Sequence, residues 1–446
     1  KTPMKSASFS LLRKPLAVLA AALLSNAALA QTSASTAPEA LAAQAQALLQ
    51  QMRDWRRDIH EHPELSGQER RTAALVAAHL RSLGLQVQTG VGGHGVVGVL
   101  KGAKPGRTIA LRADMDALPV QEATGLPFAS RATQMNMGSE SPVAHACGHD
   151  GHTAMLMGAA SLLAAQRAHL QGEVRFIFQP AEEGLSDASQ ADKSWGAKAM
   201  VEAGVMKGVD AIYGLHILPN LPTGTLGWRS GPLLASGDTV RIEVSGKQTH
   251  GAMPWNGVDP IVASAQIVMG LQTVVSRQLN ISQEPAVITI GKIQGGVREN
   301  IIPETVQLLG TLRTFDEDMR ADAKRRITLT AENIASASGA RAKVFFGPSA
   351  YATTNNPTAL AEASAQVLQK VPSAGVMVIP KVPASEDFSE FMREAPGFFF
   401  VLGAMPKGKT AKTAAPNHSP QFDFDEDAMP VGTTALVALT LNALAR

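Results

Sequence analysis

Residues 173–184 read Glu-Val-Arg-Phe-Ile-Phe-Gln-Pro-Ala-Glu-Glu-Gly, a β-rich run that stops at Pro180 and delivers two carboxylates, Glu182 and Glu183. Val, Phe and Ile favour a pleated, buried strand, and proline ends it. Two other short runs behave alike: residues 108–112 lead to Asp114 and Asp116, and residues 211–215 lead to His216. Another β-rich run lies at 96–100, and stretches of helical spacing at 153–167 and 197–203 fall between the strands. Strands alternating with helices build a layered α/β sheet, which places ligands outside the carboxyl ends of its strands. One Glu-Glu pair is ordinarily solvated surface. Three polar clusters after three strands point to a site.

Residues 145–152, His-Ala-Cys-Gly-His-Asp-Gly-His, add three His, one Cys and one Asp within eight positions. Gly148 and Gly151 let the backbone fold tightly, so Cys147 and His149 read as joint ligands of a borderline-soft ion. Asp150 and His152 read instead as caps of the following helix, and His145 as a loop histidine with its hydrogen bonds satisfied. Cys147 is the sole cysteine, so no internal disulfide can form. Gly-x-Ser-x-Gly, a Walker loop and His-Glu-x-x-His are all missing. Cys147 acting as a nucleophile with a histidine base is the competing chemistry. It leaves Glu182 and Glu183 without a purpose, whereas a metal site uses one carboxylate to bind and the other to move a proton.

The remainder sets the frame. Residues 1–30 have the pattern of an export signal: Lys5, Arg13 and Lys14, an apolar run at 16–24, then Ala28-Leu29-Ala30 before Gln31. Cleavage there makes a periplasmic protein, and losing Lys1, Lys5, Arg13 and Lys14 without any acid takes the formal charge from +2 to −2. Such a chain has no basic stripe for nucleic acid. Neither the apolar leader nor the tail at 431–445 reaches the about 20 residues of a membrane span. Residues 31–39 read as a disordered leader and 40–59 as a helix. After Gly231-Pro232 the order becomes strand 238–244, helix 259–278, strands 286–292 and 305–314, helix 318–337 and strand 341–346. That β-α-β-β-α-β order is the ferredoxin-like unit. The expected organisation is a two-domain α/β protein. A catalytic domain spans 40–233 and 348–446, a lid or dimerisation domain is inserted at 234–347, and hinges fall at 231–237 and 347–356.

Joined together, these segments resemble the metal-dependent amidohydrolases that include bacterial hippurate hydrolases, N-acyl-amino-acid deacylases and plant indole-acetyl-amino-acid hydrolases. The resemblance runs from Arg56-Arg-Asp-Ile-His60-Glu-His-Pro-Glu-Leu65 through Arg112-Ala-Asp-Met-Asp-Ala-Leu-Pro119, the Cys147 segment, Gln179-Pro-Ala-Glu-Glu-Gly184 and Gly214-Leu-His216. Thr249-His-Gly-Ala-Met-Pro254, Gly295-Gly-Val-Arg-Glu-Asn-Ile-Ile-Pro303, Ser385-Glu-Asp-Phe388 and Asn417-His-Ser-Pro420 complete it. It implies five metal ligands, Cys147, His149, Glu183, His216 and His418, with the thiolate between two divalent ions: zinc or manganese, cobalt and nickel being compatible with the same donors. It implies Glu182 as general base, Asp116 as a residue that orients a ligand, and His250 as an oxyanion donor to the site of a second copy in a homodimer or larger assembly. Asn300 and Arg313, with Arg298 as an alternative, are implied to hold a substrate carboxylate. The expected substrates are small N-acyl or N-aroyl amino acids. A dipeptidase or carboxypeptidase on the same scaffold, and a binding protein without catalysis, are the competing readings.

Overall fold

The computed structural model describes residues 36–446 except 188 and 190–192. The expected export signal and most of the expected leader lie outside the described residues. Pro38 and Glu39, expected in that leader, form the first turn of α1 (Pro38–Ala47), where proline's fixed φ and an acidic side chain both suit a helix N-terminus. The helix expected at 40–59 is broken at Leu48, and α2 (Leu49–Glu61) follows, then α3 (Arg70–Ser82).

The main body is laid down as β1 (Gln86–Val91), β2 (Gly95–Lys101), β3 (Lys104–Asp114), α4 (His149–Ala165), β4 (Gln171–Gln179), α5 (Gly196–Glu202), β5 (Ala211–Leu218) and β6 (Thr225–Trp228). Then come β7 (Gly237–Ser245), α6 (Pro260–Thr273), β8 (Ala286–Gly295), β9 (Thr305–Thr314), α7 (Glu317–Ala337) and β10 (Arg341–Tyr351). The main body resumes with α8 (Thr358–Leu368), β11 (Gly375–Val378), α9 (Phe388–Met392), β12 (Gly397–Gly403) and α10 (Met429–Leu444).

Eight strands form one sheet in the order β1-β2-β4-β3-β5-β12-β6-β11. Its four central strands, β4, β3, β5 and β12, run parallel. The reason is plainest in β12, Gly-Phe-Phe-Phe-Val-Leu-Gly, which is buried at every position. Phe398, Phe400 and Leu402 pack with α4 and α10 on one face, while Phe399 and Val401 pack with α5 and α9 on the other. A continuous apolar run is what a strand covered on both faces requires. The C-terminal helical run Glu426–Leu444, 19 residues, is long and apolar enough to cross a membrane, contrary to the expectation of a shorter tail. It is a core helix here: 72% of its most apolar 18-residue stretch is buried inside the protein.

Residues 237–351 build a separate antiparallel sheet, β8-β9-β7-β10, with α6 and α7 packed on it around Val240, Ile242, Ile267, Leu271, Leu308 and Ile327. The chain order is the expected β-α-β-β-α-β. Asp259 and Asp316 start the two helices by accepting hydrogen bonds from Ile261 N and Met319 N. The last strand continues past the expected 346 to Tyr351, which pairs with Gly237 where the chain enters this unit.

Candidate metal centre

The carboxyl ends of β3, β4 and β5 meet the first turn of α4 and the loop around His418. Cys147 Sγ lies 3.4 Å from His216 Nε2 and 3.4 Å from His418 Nε2. His418 Nε2 is 3.0 Å from Glu183 Oε1. Two donor sets share the thiol: Cys147, His149 and His216 form one, and Cys147, Glu183 and His418 the other, with donor atoms in each within 4.8 Å of one another. His149, Glu182 and Glu183 form a third set of the same tightness. Gly148 precedes the helix at φ 100°, a left-handed conformation that a side chain would strain, and this bend turns Cys147 and His149 to the same place.

The surrounding groups fix these donors. His149 Nδ1 donates to the Asp116 carbonyl at 2.8 Å, with Asp116 Oδ1 at 3.2 Å. His216 Nδ1 donates to the Ile217 carbonyl at 2.8 Å. Both rings are thereby held in the tautomer that leaves Nε2 free, the arrangement seen when histidine binds a metal. His149 Nε2 is buried and has no hydrogen-bond partner among the described residues. Asp116 also accepts from Ser66 Oγ at 2.6 Å and from Glu183 N at 3.0 Å, so one buried carboxylate ties the His149 ring to the Glu183 backbone. Asn417 reaches the carbonyls of Cys147 at 3.0 Å and Ile217 at 3.3 Å, and His418 N donates to Ala146 O at 2.6 Å. These bonds bring the distant His418, itself at φ 69°, onto the Cys147 segment.

Three expectations around Cys147 are corrected. The helix begins at His149, not at 153, so Asp150 and His152 lie within its first turns and neither caps it. Asp150 accepts from Arg56 Nε at 2.8 Å and His60 Nδ1 at 2.9 Å. His152 donates from Nδ1 to Asp114 at 2.6 Å and accepts from Ile217 N at 2.8 Å, which fully satisfies a neutral ring. His145 is the reverse of satisfied: both its ring nitrogens are buried without a hydrogen-bond partner among the described residues, and burial pulls it down to about 4.

The electrostatics favour a cation. Burial opposes charge on His149, yet Asp114, Cys147 and Asp116 hold it well above the usual histidine range. Hydrogen bonds to Cys147 and Glu183 raise His418 to about 10. Burial and the charge of Glu183 push the Cys147 thiol up, the wrong direction for a nucleophile that relies on a lowered pKa. A divalent ion reverses that, because coordination deprotonates a thiol. Cys, His and Glu in this grouping are zinc- or manganese-compatible donors. Burial, then Glu386, Glu183 and Asp387, push Glu182 well above the usual carboxylate range.

A cavity of about 550 Å³ opens on these groups and is also lined by Arg313, Tyr351, Leu218, Leu234 and Val401. Arg313 is half-buried, and its hydrogen bond is a long one, 3.4 Å to Leu312 O. His250, Asn300 and Arg298 are exposed and do not line this cavity. His250 and Asn300 are neighbours nonetheless: His250 pairs with Ile301, and Gly251 N donates to Asn300 O at 2.8 Å. Beneath Glu182 lies a buried group absent from the sequence-based roles. Arg112 contacts Asp114 at 2.7 Å, Glu386 at 3.0 Å and Asp387 at 3.1 Å, and Glu182, Glu386 and Asp387 cluster within 4.8 Å.

Residues 110–442 match the family model described as Peptidase family M20/M25/M40. The chain is 42% identical over 403 residues to thermostable carboxypeptidase 1 of Saccharolobus solfataricus, covering 88% of this chain and 96% of that protein. It is 39% identical over 398 residues to N-acetylcysteine deacetylase of Bacillus subtilis, covering 87% and 96%. Among solved structures it resembles a dinuclear metal-binding peptidase of the M20 family from Bacillus subtilis, with a TM-score of 0.74, 36% identity, and 90% and 99% of the two chains covered.

Proposed function

This chain belongs to peptidase family M20/M25/M40, a family of metal-dependent hydrolases, and on that premise we propose that it cleaves the amide bond of N-acyl or N-aroyl amino acids. The observation that carries this reading is one cavity in which a half-buried arginine, apolar walls and the metal-ligand cluster face one another. Cys147, His149, Glu183, His216 and His418 hold the ions. When bound, two divalent ions make hydroxide available near neutral pH and polarise the carbonyl under attack. Glu182 takes the proton of the attacking water and returns it to the departing nitrogen. Arg313 pairs with the substrate carboxylate, a task its planar fork suits. Leu218, Leu234 and Val401 accept the acyl group.

A second copy completes the site. The edge strand β8 leaves Val287 and Ile293 exposed, and α6 leaves Val262 and Met269 exposed, surface that favours pairing with another chain. In such a pair His250 supplies the oxyanion donor and Asn300 a substrate contact across the interface. Residues 1–30, read as an export signal, support the proposal that this work is done in the periplasm.

A carboxypeptidase or dipeptidase reading is favoured by the carboxypeptidase relative. Protein loaded with zinc, manganese or cobalt and offered hippurate, N-acetyl amino acids and dipeptides separates the two. Preferential turnover of acylated amino acids carrying a free carboxylate supports the proposal. Preference for dipeptides transfers it to the second reading, and silence on the whole panel defeats both. Glu182→Ala is expected to keep its metal and lose about a thousandfold in kcat.

A further inference from the structure

The turn that presents Glu182 is held from three sides. Glu69 Oε1 accepts from Ala181 N at 2.8 Å and from Gly67 N at 2.7 Å. Asp116 Oδ2 accepts from Glu183 N at 3.0 Å. Both of those ties come from the main body. The third does not: Tyr351 Oη donates to the Glu182 carbonyl at 2.9 Å, and Tyr351 is the final residue of β10, in the inserted sheet.

This turn needs holding. Ala181 sits at φ 53°, a left-handed conformation that residues with a side chain seldom adopt. Positions of that kind persist only where the surroundings over-determine them, and they gather at functional sites. The Tyr351 ring is itself fixed, edge-on to Trp195 with ring centroids 5.6 Å apart and planes at 84°. Next to Trp195, Gly196 passes so close beneath the turn that an added Cβ would lie 2.8 Å from Ala181 O. Tyr351 also pairs with Gly237, so it stands where the chain both enters and leaves the inserted unit.

We propose that Tyr351 is a positioning residue, which ties the backbone of Glu182 to the inserted unit and so makes the aim of the Glu182 carboxyl depend on how that unit is seated. The inference rests on the reading of Glu182 as the group that moves the proton. Only backbone and side-chain torsions of Glu182 itself separate its carbonyl from its carboxyl, so a shift of the Tyr351 hydroxyl is felt at the proton-transfer atom. The same shift leaves Cys147 and His216 in place, because their supports come from Asn417 and Ile217, while Glu183 keeps its own backbone tie to Asp116.

Tyr351→Phe removes the hydroxyl and keeps the ring against Trp195. In the full-length, metal-loaded protein, hydrogen–deuterium exchange across residues 180–187 is expected to quicken about fivefold, while exchange across β7 stays at the wild-type level. Turnover is expected to fall about five- to tenfold, with KM within about twofold and metal content unchanged. Unaltered exchange at 180–187 overturns the proposal whatever the activity does. So does a uniform rise in exchange with loss of metal, which marks a merely structural role. If wild-type protein turns over none of the acylated amino acids but the variant still loosens 180–187 alone, the tie between Tyr351 and Glu182 stands and the proposed reaction falls.

Discussion

Cys147 is the residue on which both donor sets depend. A serine in its place offers a hard hydroxyl where a soft, easily deprotonated sulfur stood. Cys147→Ser is therefore expected to weaken metal retention at least about tenfold, measured as metal content after dialysis against a chelator. Wild-type retention would remove the thiol from the ligand shell. Much of this cluster was legible because its members are close in sequence or follow strands: Cys147 with His149, Glu182 with Glu183, and His216 at the end of β5. His418 was reachable only by resemblance, since nothing in its neighbourhood marks a lone histidine near the tail as a ligand. Arg112, Glu386 and Asp387 acquire their meaning from burial, and a buried carboxylate looks like a surface one until the fold encloses it. His145 was misread for the same reason, because its lack of partners is a property of the packed core.

At the scale of single elements, the parallel strands announced themselves as apolar runs that end in polar residues. Helix limits were less legible, because tertiary contacts set them. The break at Leu48 and the start of α4 at His149 have no proline to mark them. The entry to α5 carries a steric condition. Gly196 has φ 58°, and an added Cβ would lie 2.3 Å from Asp387 Oδ2 and 2.8 Å from Ala181 O. Gly196→Ala is expected to cost about 2–4 kcal/mol, read by denaturant unfolding, because clash and a disfavoured φ act together. Helix α3 makes a different prediction. His79 rests against Trp55, with ring centroids 4.6 Å apart, and donates to Met157 O at 3.1 Å, and burial lowers it to about 4. The folded state then binds this proton less readily than the unfolded chain. Its stabilisation is complete above about 6.5 and drains away as the pH falls toward 4. Between pH 7 and pH 5 the wild-type Tm is expected to drop about 3 °C further than that of His79→Gln, followed by calorimetry. Parallel pH profiles would remove His79 as the cause.

At the scale of the whole molecule, the separation of His250, Asn300 and Arg298 from the cavity is the feature that sequence reading alone could not anticipate. Their residue types suit the chemistry, but the order of the chain does not say whose cavity they serve; only for His250 did the resemblance imply a second copy. A mixing experiment addresses this directly. His250→Ala and Glu182→Ala chains are each expected to be inactive alone. If His250 serves a second copy, a mixed pair contains one site with both residues intact and one with neither. Random exchange of equal amounts should restore about a quarter of wild-type activity, since half of the pairs are mixed and half of their sites work. Activity no greater than that of the separate variants would confine His250 to its own chain or to no role in the reaction.

Cys147 and His418 meet across 271 positions of sequence, with the whole inserted unit between them. Closing a loop of that length costs chain entropy, and ions bound between its ends only in the folded state would offset that cost by mass action. A nascent chain that has emerged only as far as His216 carries Cys147, His149, Glu183 and His216 but lacks the donor that shuts the second set. Closure of the second set thus becomes a late event in biosynthesis, and it certifies that translation has run on to His418 and that the ends of the loop have found each other.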